Sequence, residues 1–193
     1  MPSDPAVDSA AGSAAGSAVD SEASALGRNV KLLILDVDGV LTDGGLTYDH
    51  EGNVSKRFHV QDGLGIKIAQ SLGLGIAVIT GLKHGAVEKR VRELGIEEYH
   101  AGHVDKVPLM EGIRGRFGCE ATQIAYLGDD WVDAGVMQAV GLPMAVANAQ
   151  PEILRLAKWV SRLQGGQGAV REAIMFLLRC RGQFDAAWEK WSG

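Results

Sequence analysis

The sequence predicts an α/β fold in which a Rossmann-like parallel sheet is covered by helices on both faces and carries a projecting β-hairpin. Short aliphatic segments alternate with amphipathic segments of helical length, which is typical of βαβ units. The first aliphatic segment, Leu32 to Leu35, fits a strand that is buried on both faces. The segment 44–60 breaks this alternation, because two short alternating stretches flank a Glu-Gly-Asn turn and so indicate a hairpin.

Each element follows from its own residues. Short, mostly aliphatic runs predict strands at 32–35, 75–79, 97–100, 124–127 and 144–146. The amphipathic segments between and after them predict helices at 63–72, 85–94, 107–117, 130–140, 152–156 and 169–179. The hairpin strands are expected at 46–48 and 54–59. A final short helix carries Phe184, Trp188 and Trp191.

The composition is that of an ordinary globular protein. Hydrophobic residues make up 46% of the 193 residues, and the mean hydropathy is close to zero. The first 28 residues form an Ala/Ser/Gly/Asp tract without aromatic residues, and we predict that this tract is disordered. Residues 29–193 are long enough for one well-packed core and are expected to form a single domain.

Charge and hydropathy exclude several partners. Four of the acids lie in the first 26 residues, which contain no Lys or Arg, so most of the net charge of −5 belongs to the tract. The rest is close to neutral and offers no basic surface for nucleic acid. No apolar run approaches the roughly 20 residues that span a bilayer. The tract lacks the features of a secretory signal or a transit peptide, so we expect a cytoplasmic protein.

Two acids directly follow the first predicted strand. Asp36 and Asp38 lie one residue apart and precede Gly39, so both carboxylates are expected beyond the carboxyl end of the strand, where open α/β sheets bind ligands. Carboxylates in that position suit a hard cation such as Mg²⁺, and they also suit an aspartate nucleophile that forms an acyl-phosphate. The alternative is an Asp-Gly turn after a core strand, which is common in proteins.

One further strand end and a helix start carry polar residues. Thr80 and Gly81 offer a hydroxyl and backbone amides to phosphate oxygens, although such a threonine usually closes a turn or caps a helix. Lys106 begins a helix, where the helix dipole disfavours a cation, so an anion or a carboxylate cluster is expected nearby. A solvated lysine is the alternative.

Three acids cluster after the fourth predicted strand. Asp129 and Asp130 follow that strand directly, and Asp133 lies one helical turn further on. Asp130 is suited to cap the helix, but three acids within five residues repel one another unless a cation is bound. Trp131, beside them, either lines the entrance of a site or packs. Asp62, at the start of an earlier helix, is interpreted as its N-cap.

Taken together, these motifs resemble those of the haloacid-dehalogenase-type phosphatases. The segments DVDGVLTD and ITG, the later Lys106 and the segment GDDWVD occur in the order of the four motifs of that family. The resemblance extends from about residue 31 to residue 178. The segments FHVQDGLGIK, GLPMAVANAQPEI and GGQGAVREA narrow it to members that act on phosphorylated eight- or nine-carbon 2-keto-3-deoxy sugar acids.

The resemblance implies a role for each motif residue. Asp36 would be the nucleophile, and Asp38 would be first the general acid and then the general base. Thr80 and Gly81 would bind the transferring phosphoryl group. Lys106 would neutralise charge on Asp36 and on the phosphate.

The implied cofactor is Mg²⁺. By the same resemblance it would be held by the Asp36 carboxylate, the Asp38 backbone carbonyl and Asp129, with support from Asp130 and Asp133. A phosphatase of sugar-acid phosphates in lipopolysaccharide precursor synthesis is therefore the expected function. A catalytically silent relative that serves as a binding partner is the alternative of another class.

Spacing and one departure from the family bear on specificity. Between Thr80 and Lys106 there is room for one helix and a short strand, and the earlier gap holds only the hairpin and a helix, so no cap domain fits. Cap-less relatives are tetramers, and a homotetramer is therefore expected. Relatives commonly have an arginine where this chain has Leu82. Lys83 or Arg171 is the candidate ligand for the substrate carboxylate, and a surface role is the alternative for both.

Overall fold

The structure, a computed structural model, describes residues 21–193 and contains a six-stranded sheet and a separate two-stranded hairpin. The strands are β1 (Leu32–Leu35), β2 (Thr47–Tyr48), β3 (Val54–Ser55), β4 (Gly75–Thr80), β5 (Glu98–Ala101), β6 (Ile124–Gly128), β7 (Leu142–Ala145) and β8 (Trp159–Val160). The helices are α1 (residues 21–27), α2 (Val60–Ser71), α3 (Gly85–Glu93), α4 (Val107–Phe117), α5 (Ala134–Ala139), α6 (Pro151–Leu156), α7 (Ala169–Cys180) and α8 (Phe184–Ser192).

The six-stranded sheet is parallel throughout, in the order β5-β4-β1-β6-β7-β8. Every residue of β1, β6 and β7 is buried, as expected for strands that are covered on both faces. The covering helices form two groups, one in which α2 packs on α7 and one in which α4, α5 and α6 pack in succession. The strand order reverses beside β1, and ligands of such sheets bind at the carboxyl ends of the strands there. The predicted fold class is confirmed.

The predicted elements are present, and the differences lie mainly at their ends. α2 begins at Val60, not at residue 63. The predicted helix 130–140 is divided into a short 3₁₀-helix, Trp131–Asp133, followed by α5. The sequence does not predict β8, because its two residues are too few to show a periodicity.

Asp62 joins two helices and does not cap its own. It lies inside the first turn of α2, whose N-cap is His59, so the prediction of an Asp62 N-cap is wrong. Asp62 is buried, and its Oδ1 accepts a hydrogen bond from the backbone amide of Arg171 in the first turn of α7 at 2.7 Å. Burial raises the pKa of Asp62, against the opposing effect of this bond. The carboxylate therefore satisfies a helix start that is distant in sequence.

The predicted hairpin is confirmed, with strands of two residues each. The Asp49 carboxylate closes its turn by accepting hydrogen bonds from the amides of Glu51 and Asn53, both at 2.9 Å. At the base of the hairpin, Thr42 and Phe58 form an antiparallel bridge. Phe58 is half-buried and packs against the core, so the base of the hairpin is tied to the main sheet.

No cap domain interrupts the described chain. Within residues 21–193, the hairpin and α2 are the elements between β1 and β4, and α3 and β5 are those between β4 and α4. The sheet edge that carries the predicted site is therefore not covered by an inserted domain. None of the helices among these residues is long and apolar enough to cross a membrane.

Helix α1 contradicts part of the predicted N-terminal tail. Ala23 is fully buried in the core, and Leu26 packs against the core. Glu22 accepts a hydrogen bond from the Lys158 ammonium group at 2.6 Å. The prediction of disorder is therefore wrong for residues 21–27, and residues 1–20 lie outside the described part of the chain. We propose that the folded domain includes residues 21–27 and therefore does not begin at residue 29.

Deleting residues 1–27 is expected to lower the free energy of unfolding by about 1–3 kcal/mol, because apolar surface of α1 and of its contact area on the core becomes exposed. Deleting residues 1–20 is the matched control and is expected to leave the free energy of unfolding unchanged, given the composition of that tract. Urea unfolding of both proteins measures the difference. Equal stability of the two truncated proteins would contradict a packing role for α1.

Candidate active site

The residues predicted from the strand ends line one cavity at the carboxyl edge of the sheet. This cavity has a volume of about 230 Å³. Its lining residues are Asp36, Asp38, Thr80, Gly81, Leu82, Val104, Asp129, Asp130 and Val132. A larger cavity of about 600 Å³ lies near the amino ends of β1 and β4, beside Lys31 and Gly75, and contains none of the predicted site residues. Chemistry, and not cavity size, therefore identifies the site.

Lys106 is the buried cation of this site. Its side chain is 1% exposed, and its ammonium group donates to Asp36 Oδ1 at 2.7 Å, to Asp133 Oδ1 at 2.6 Å and to the Tyr126 hydroxyl at 3.0 Å. These bonds use all three donors of the group. Burial opposes the charge, but the carboxylates of Asp36 and Asp133 outweigh it and raise the pKa of Lys106. A carboxylate cluster therefore explains a lysine at this helix start.

Asp133 holds the surrounding groups in place. Its Oδ1 accepts from Lys106 and, at 2.6 Å, from the hydroxyl of Tyr126. Its Oδ2 accepts from the backbone amides of Asp129 at 2.9 Å and Asp130 at 3.3 Å. Burial, with the charge of Asp133, raises the pKa of Tyr126 well above its usual value, so this hydroxyl remains a donor. Both oxygens of Asp133 already accept hydrogen bonds, so we assign this residue the role of orienting its neighbours. Its carboxylate nevertheless lies close enough to Asp36 and Asp129 to share a cation with them.

Asp129 supplies a buried carboxylate oxygen that has no hydrogen-bond partner in the described part of the chain. Its Oδ1 accepts no hydrogen bond from the described residues. Burial raises the pKa of Asp129 to about 8, and the charges of Asp36, Asp133 and Asp130 add to this effect. Burial also raises the pKa of Asp36 to about 7, against the attraction of Lys106. The single positive charge of Lys106 does not balance the negative charges of these carboxylates. A divalent cation that binds oxygen ligands would balance the remaining charge.

Gly39 makes room for the Asp129 carboxylate. Its φ of +89° lies in the left-handed region, and a Cβ at this position would lie 2.0 Å from Asp129 Oδ2. On the other side, a Cβ on Gly165, in the loop after β8, would lie 1.6 Å from the Gly39 carbonyl oxygen. The Gly166 amide donates to the Val40 carbonyl at 2.9 Å. The loop after β1 is therefore packed between Asp129 and the loop 161–168.

The hairpin contributes a second lysine to the site. The Lys56 ammonium group donates to Asp38 Oδ1, and the Lys56 side chain is 1% exposed. The next residue, Arg57, is largely exposed and donates from Nε to Asp43 Oδ2 at 3.0 Å. The hairpin is thus attached to both ends of the loop 38–43.

The structure brings the predicted catalytic and metal-binding residues together but places Arg171 elsewhere. Thr80 is buried at the end of β4, in the same cavity as Asp36 and Asp38. Arg171 lines other cavities, and its Nη1 is buried without a partner among the described residues. Burial lowers its pKa, against the attraction of Asp62. The geometry therefore does not support Arg171 as a ligand for a substrate bound in this cavity.

The rim of the cavity is apolar. Leu82, Val104 and Val132 line it and are each about half exposed or more. Trp131 is 67% exposed beside them, and its indole Nε1 donates to Glu152 Oε2 at 3.0 Å. Of the two roles left open for Trp131, the structure therefore favours a place near the entrance over packing in the core.

Two residues of the site are missed by sequence reasoning. Tyr126 lies in an apolar strand, where a fully buried hydroxyl requires a partner, and this requirement is the signal that points to it. Lys56 gives a weaker signal, because an alternating strand places it on the same face as Phe58 but does not show which group that face meets.

The chain is similar to known hydrolases over most of its length. The sequence-family model of the haloacid dehalogenase-like hydrolases matches residues 99–174. The 3-deoxy-D-manno-octulosonate 8-phosphate phosphatase KdsC of Escherichia coli (strain K12) is 40% identical over 169 residues, which cover 88% of this chain and 90% of that protein.

Two solved structures extend the similarity to the fold. The 3-deoxy-D-manno-octulosonate 8-phosphate phosphatase of Moraxella catarrhalis, in complex with magnesium ion, phosphate ion and a KDO molecule, matches with a TM-score of 0.85 at 34% identity and covers 88% of this chain and 98% of that one. The enzyme of that name from Yersinia pestis matches with a TM-score of 0.83 at 37% identity over 85% of this chain and 89% of that one. The chain therefore belongs to the haloacid dehalogenase-like hydrolase family, as one of its phosphatases.

Proposed function

We propose that this protein is a Mg²⁺-dependent phosphatase that hydrolyses 3-deoxy-D-manno-octulosonate 8-phosphate to the free sugar acid and inorganic phosphate. The observation that carries the proposal is the buried contact of Lys106 with Asp36, beside an Asp129 oxygen that has no partner within residues 21–193. This arrangement combines a nucleophile, a cation and a metal-binding carboxylate. The extent of similarity to KdsC supports the substrate. The reaction would serve lipopolysaccharide precursor synthesis in the cytoplasm.

Two displacement steps account for the hydrolysis. In the first, a carboxylate oxygen of Asp36 attacks phosphorus, the ester P–O bond breaks, and the protonated Asp38 gives its proton to the leaving alkoxide. In the second, the Asp38 carboxylate takes a proton from a water molecule whose oxygen attacks the aspartyl-phosphate. The bond to Asp36 breaks, phosphate leaves, and both aspartates return to their starting forms with one water consumed.

The remaining residues would hold the phosphoryl group and the cation. Thr80 and Gly81 would donate to phosphoryl oxygens at the end of β4. Lys106, whose donors are all engaged, keeps Asp36 oriented and would have to exchange one partner to reach the phosphate. Asp36, the Asp38 backbone carbonyl and Asp129 would bind Mg²⁺, which when present neutralises charge between phosphate and carboxylates.

A nonulosonate 9-phosphate is the second candidate substrate. Leu82 is the observation that keeps this substrate open. It lies exposed at the rim of the cavity, at a position where relatives commonly carry an arginine. A leucine cannot bind the substrate carboxylate, so this contact gives no basis for choosing between the two sugar acids. A silent binding protein is disfavoured, because the four charged motif residues are all present and assembled.

Phosphate release from a panel of esters tests the function. We expect the highest kcat/KM for the octulosonate 8-phosphate, because contacts with the sugar acid add to those with phosphate. Chelation with EDTA should abolish turnover with every ester, and added Mg²⁺ should restore it, because the carboxylates and the phosphate otherwise repel. Preference for the nine-carbon ester would select the second candidate. Full activity of metal-stripped protein would contradict the role given to Asp129.

We also propose that the chain forms a homotetramer. Trp188 and Trp191 on α8 and Leu46 and Tyr48 on the hairpin are exposed apolar side chains, of a kind that subunit contacts cover. A neighbouring subunit would also enclose a cavity that no cap domain covers. Light scattering is expected to give about four times the chain mass of 20.4 kDa. A fully active monomer at micromolar concentration would exclude the tetramer.

A further inference from the structure

Lys56 is buried on a segment that is otherwise largely exposed. Both residues of β2 and Ser55 of β3 are exposed, and the side chain of Arg57 is 61% exposed. The Lys56 side chain between them is only 1% exposed. Burying a lysine costs rotamer entropy and hydration, and this cost requires a partner that holds the charge. The Asp38 carboxylate is that partner.

The two lysines of the site serve different acids. Lys106 has three donors, and Asp36, Asp133 and Tyr126 occupy all of them. It therefore has no donor left to orient Asp38. Lys56 engages Oδ1 of Asp38, and no other side-chain donor among the described residues contacts that carboxylate. The nucleophile and the acid–base group are thus held by separate cations that belong to separate parts of the chain.

The hairpin that carries Lys56 is anchored on the same loop. The ion pair of Arg57 with Asp43 lies on one side of Lys56, and the bridge between Thr42 and Phe58 fixes the register of the returning strand. Because neighbouring residues of an extended chain point to opposite faces, this register directs Lys56 inward and Arg57 outward. Lys56 is therefore set in place by three contacts along the loop 38–43.

We propose that Lys56 is a positioning residue that orients the Asp38 carboxylate for proton transfer, so that the hairpin takes part in catalysis. The inference rests on the proposed function, since it acts through the acid–base role of Asp38. With Oδ1 fixed by Lys56, the other oxygen of Asp38 remains available to the leaving group and later to water. Without Lys56 the carboxylate would turn among its rotamers and meet the reacting atoms less often.

The leaving group makes this role measurable. An alkyl ester needs a proton as its P–O bond breaks, whereas p-nitrophenol departs readily as the anion. General acid catalysis contributes about 10²–10⁴-fold where a proton is needed, and a misoriented acid loses part of that factor. The value of kcat/KM reports events up to release of the alcohol, so it isolates the step in which Asp38 acts as the acid.

The test compares Lys56→Met with the wild-type full-length chain on two esters, namely p-nitrophenyl phosphate and the best alkyl ester from the substrate panel. We expect kcat/KM to fall roughly 10- to 100-fold for the alkyl ester and less than about threefold for the aryl ester. Lys56→Arg, which retains the cation, should recover most of the loss. Lys89→Met, which makes the same substitution at an exposed lysine of α3, is the matched control and should change neither value.

A kinetic double-mutant cycle adds a readout that a merely structural role would not move. In an Asp38→Asn background, Lys56→Met should have little further effect on the alkyl ester, because Lys56 acts through Asp38. Lys56→Gln provides the same comparisons if the methionine variant does not fold. Equal losses on both esters, or additive losses in the cycle, would overturn the proposal. A wild-type protein inactive on every ester would instead refute the phosphatase function itself, and the proposal with it.

Discussion

Replacing Asp36 with asparagine is expected to lower kcat by about 10⁵-fold or more, because the variant has no carboxylate to form the phosphoenzyme and nucleophile substitutions have effects of this order. Asparagine keeps the shape of the side chain and retains a carbonyl oxygen that can accept from Lys106. Phosphate release by purified protein, with Mg²⁺ present, measures the effect. Turnover within about tenfold of wild type would rule out Asp36 as the nucleophile.

The stability of the same variant gives an independent measurement. Burial raises the pKa of Asp36 from its usual 3.8 to about 7, so the folded state resists ionisation of this group. The contribution of Asp36 to stability is therefore fully present below its usual pKa of 3.8, and it is lost as the pH rises through about 7. The asparagine side chain of the variant would carry no charge at any of these pH values. We therefore expect metal-free Asp36→Asn to melt at or above the wild-type temperature near pH 8, and a clearly lower melting temperature would contradict this electrostatic description.

Lys106→Met is expected to damage both stability and activity. It leaves the buried carboxylates of Asp36 and Asp133 without their common cation, and breaking a buried pair on one side costs about 3–5 kcal/mol. Among proteins that remain folded, kcat should fall by about 10²–10³-fold, as when one preorganised donor is removed from a transition state. Urea unfolding and phosphate release measure the two effects.

Lys89→Met is the matched control for this substitution, because Lys89 is an exposed lysine on α3. It should change the free energy of unfolding by less than about 0.5 kcal/mol. An equally small effect of Lys106→Met would contradict a stabilising role for the three hydrogen bonds that the Lys106 ammonium group donates.

The location of the site could be predicted because parallel strands bring their carboxyl ends to one edge. The aliphatic run of β1 requires burial, and the acids that follow it cannot be buried without compensation, so Asp36 and Asp38 had to lie at that edge. The same argument applies to Thr80 after β4 and to Asp129 after β6. The order of residues at the strand ends and the parallel sheet topology were therefore sufficient to predict most of the residues that line the cavity.

Contacts between distant elements could not be predicted in this way. The short helix α1 lacks a strong apolar pattern, and its order depends on a core built from other segments. The residues around Asp62 predict a helix cap, but its hydrogen-bond donor is a backbone amide of α7. The pairing of Lys56 with Asp38 depends on the direction of the hairpin, which no local propensity determines. In each case the deciding group lies far along the chain.

The close approach of Gly165 to Gly39 has a consequence for the order in which the protein matures. A chain emerging from the ribosome presents Asp36, Lys106 and Asp129 well before Gly165, yet the loop after β1 has no wall until the segment 161–168 docks against it. A nascent chain that stops before this segment would carry every motif without a competent site. Catalytic ability would thus be acquired only after the segment 161–168 has been made and has docked.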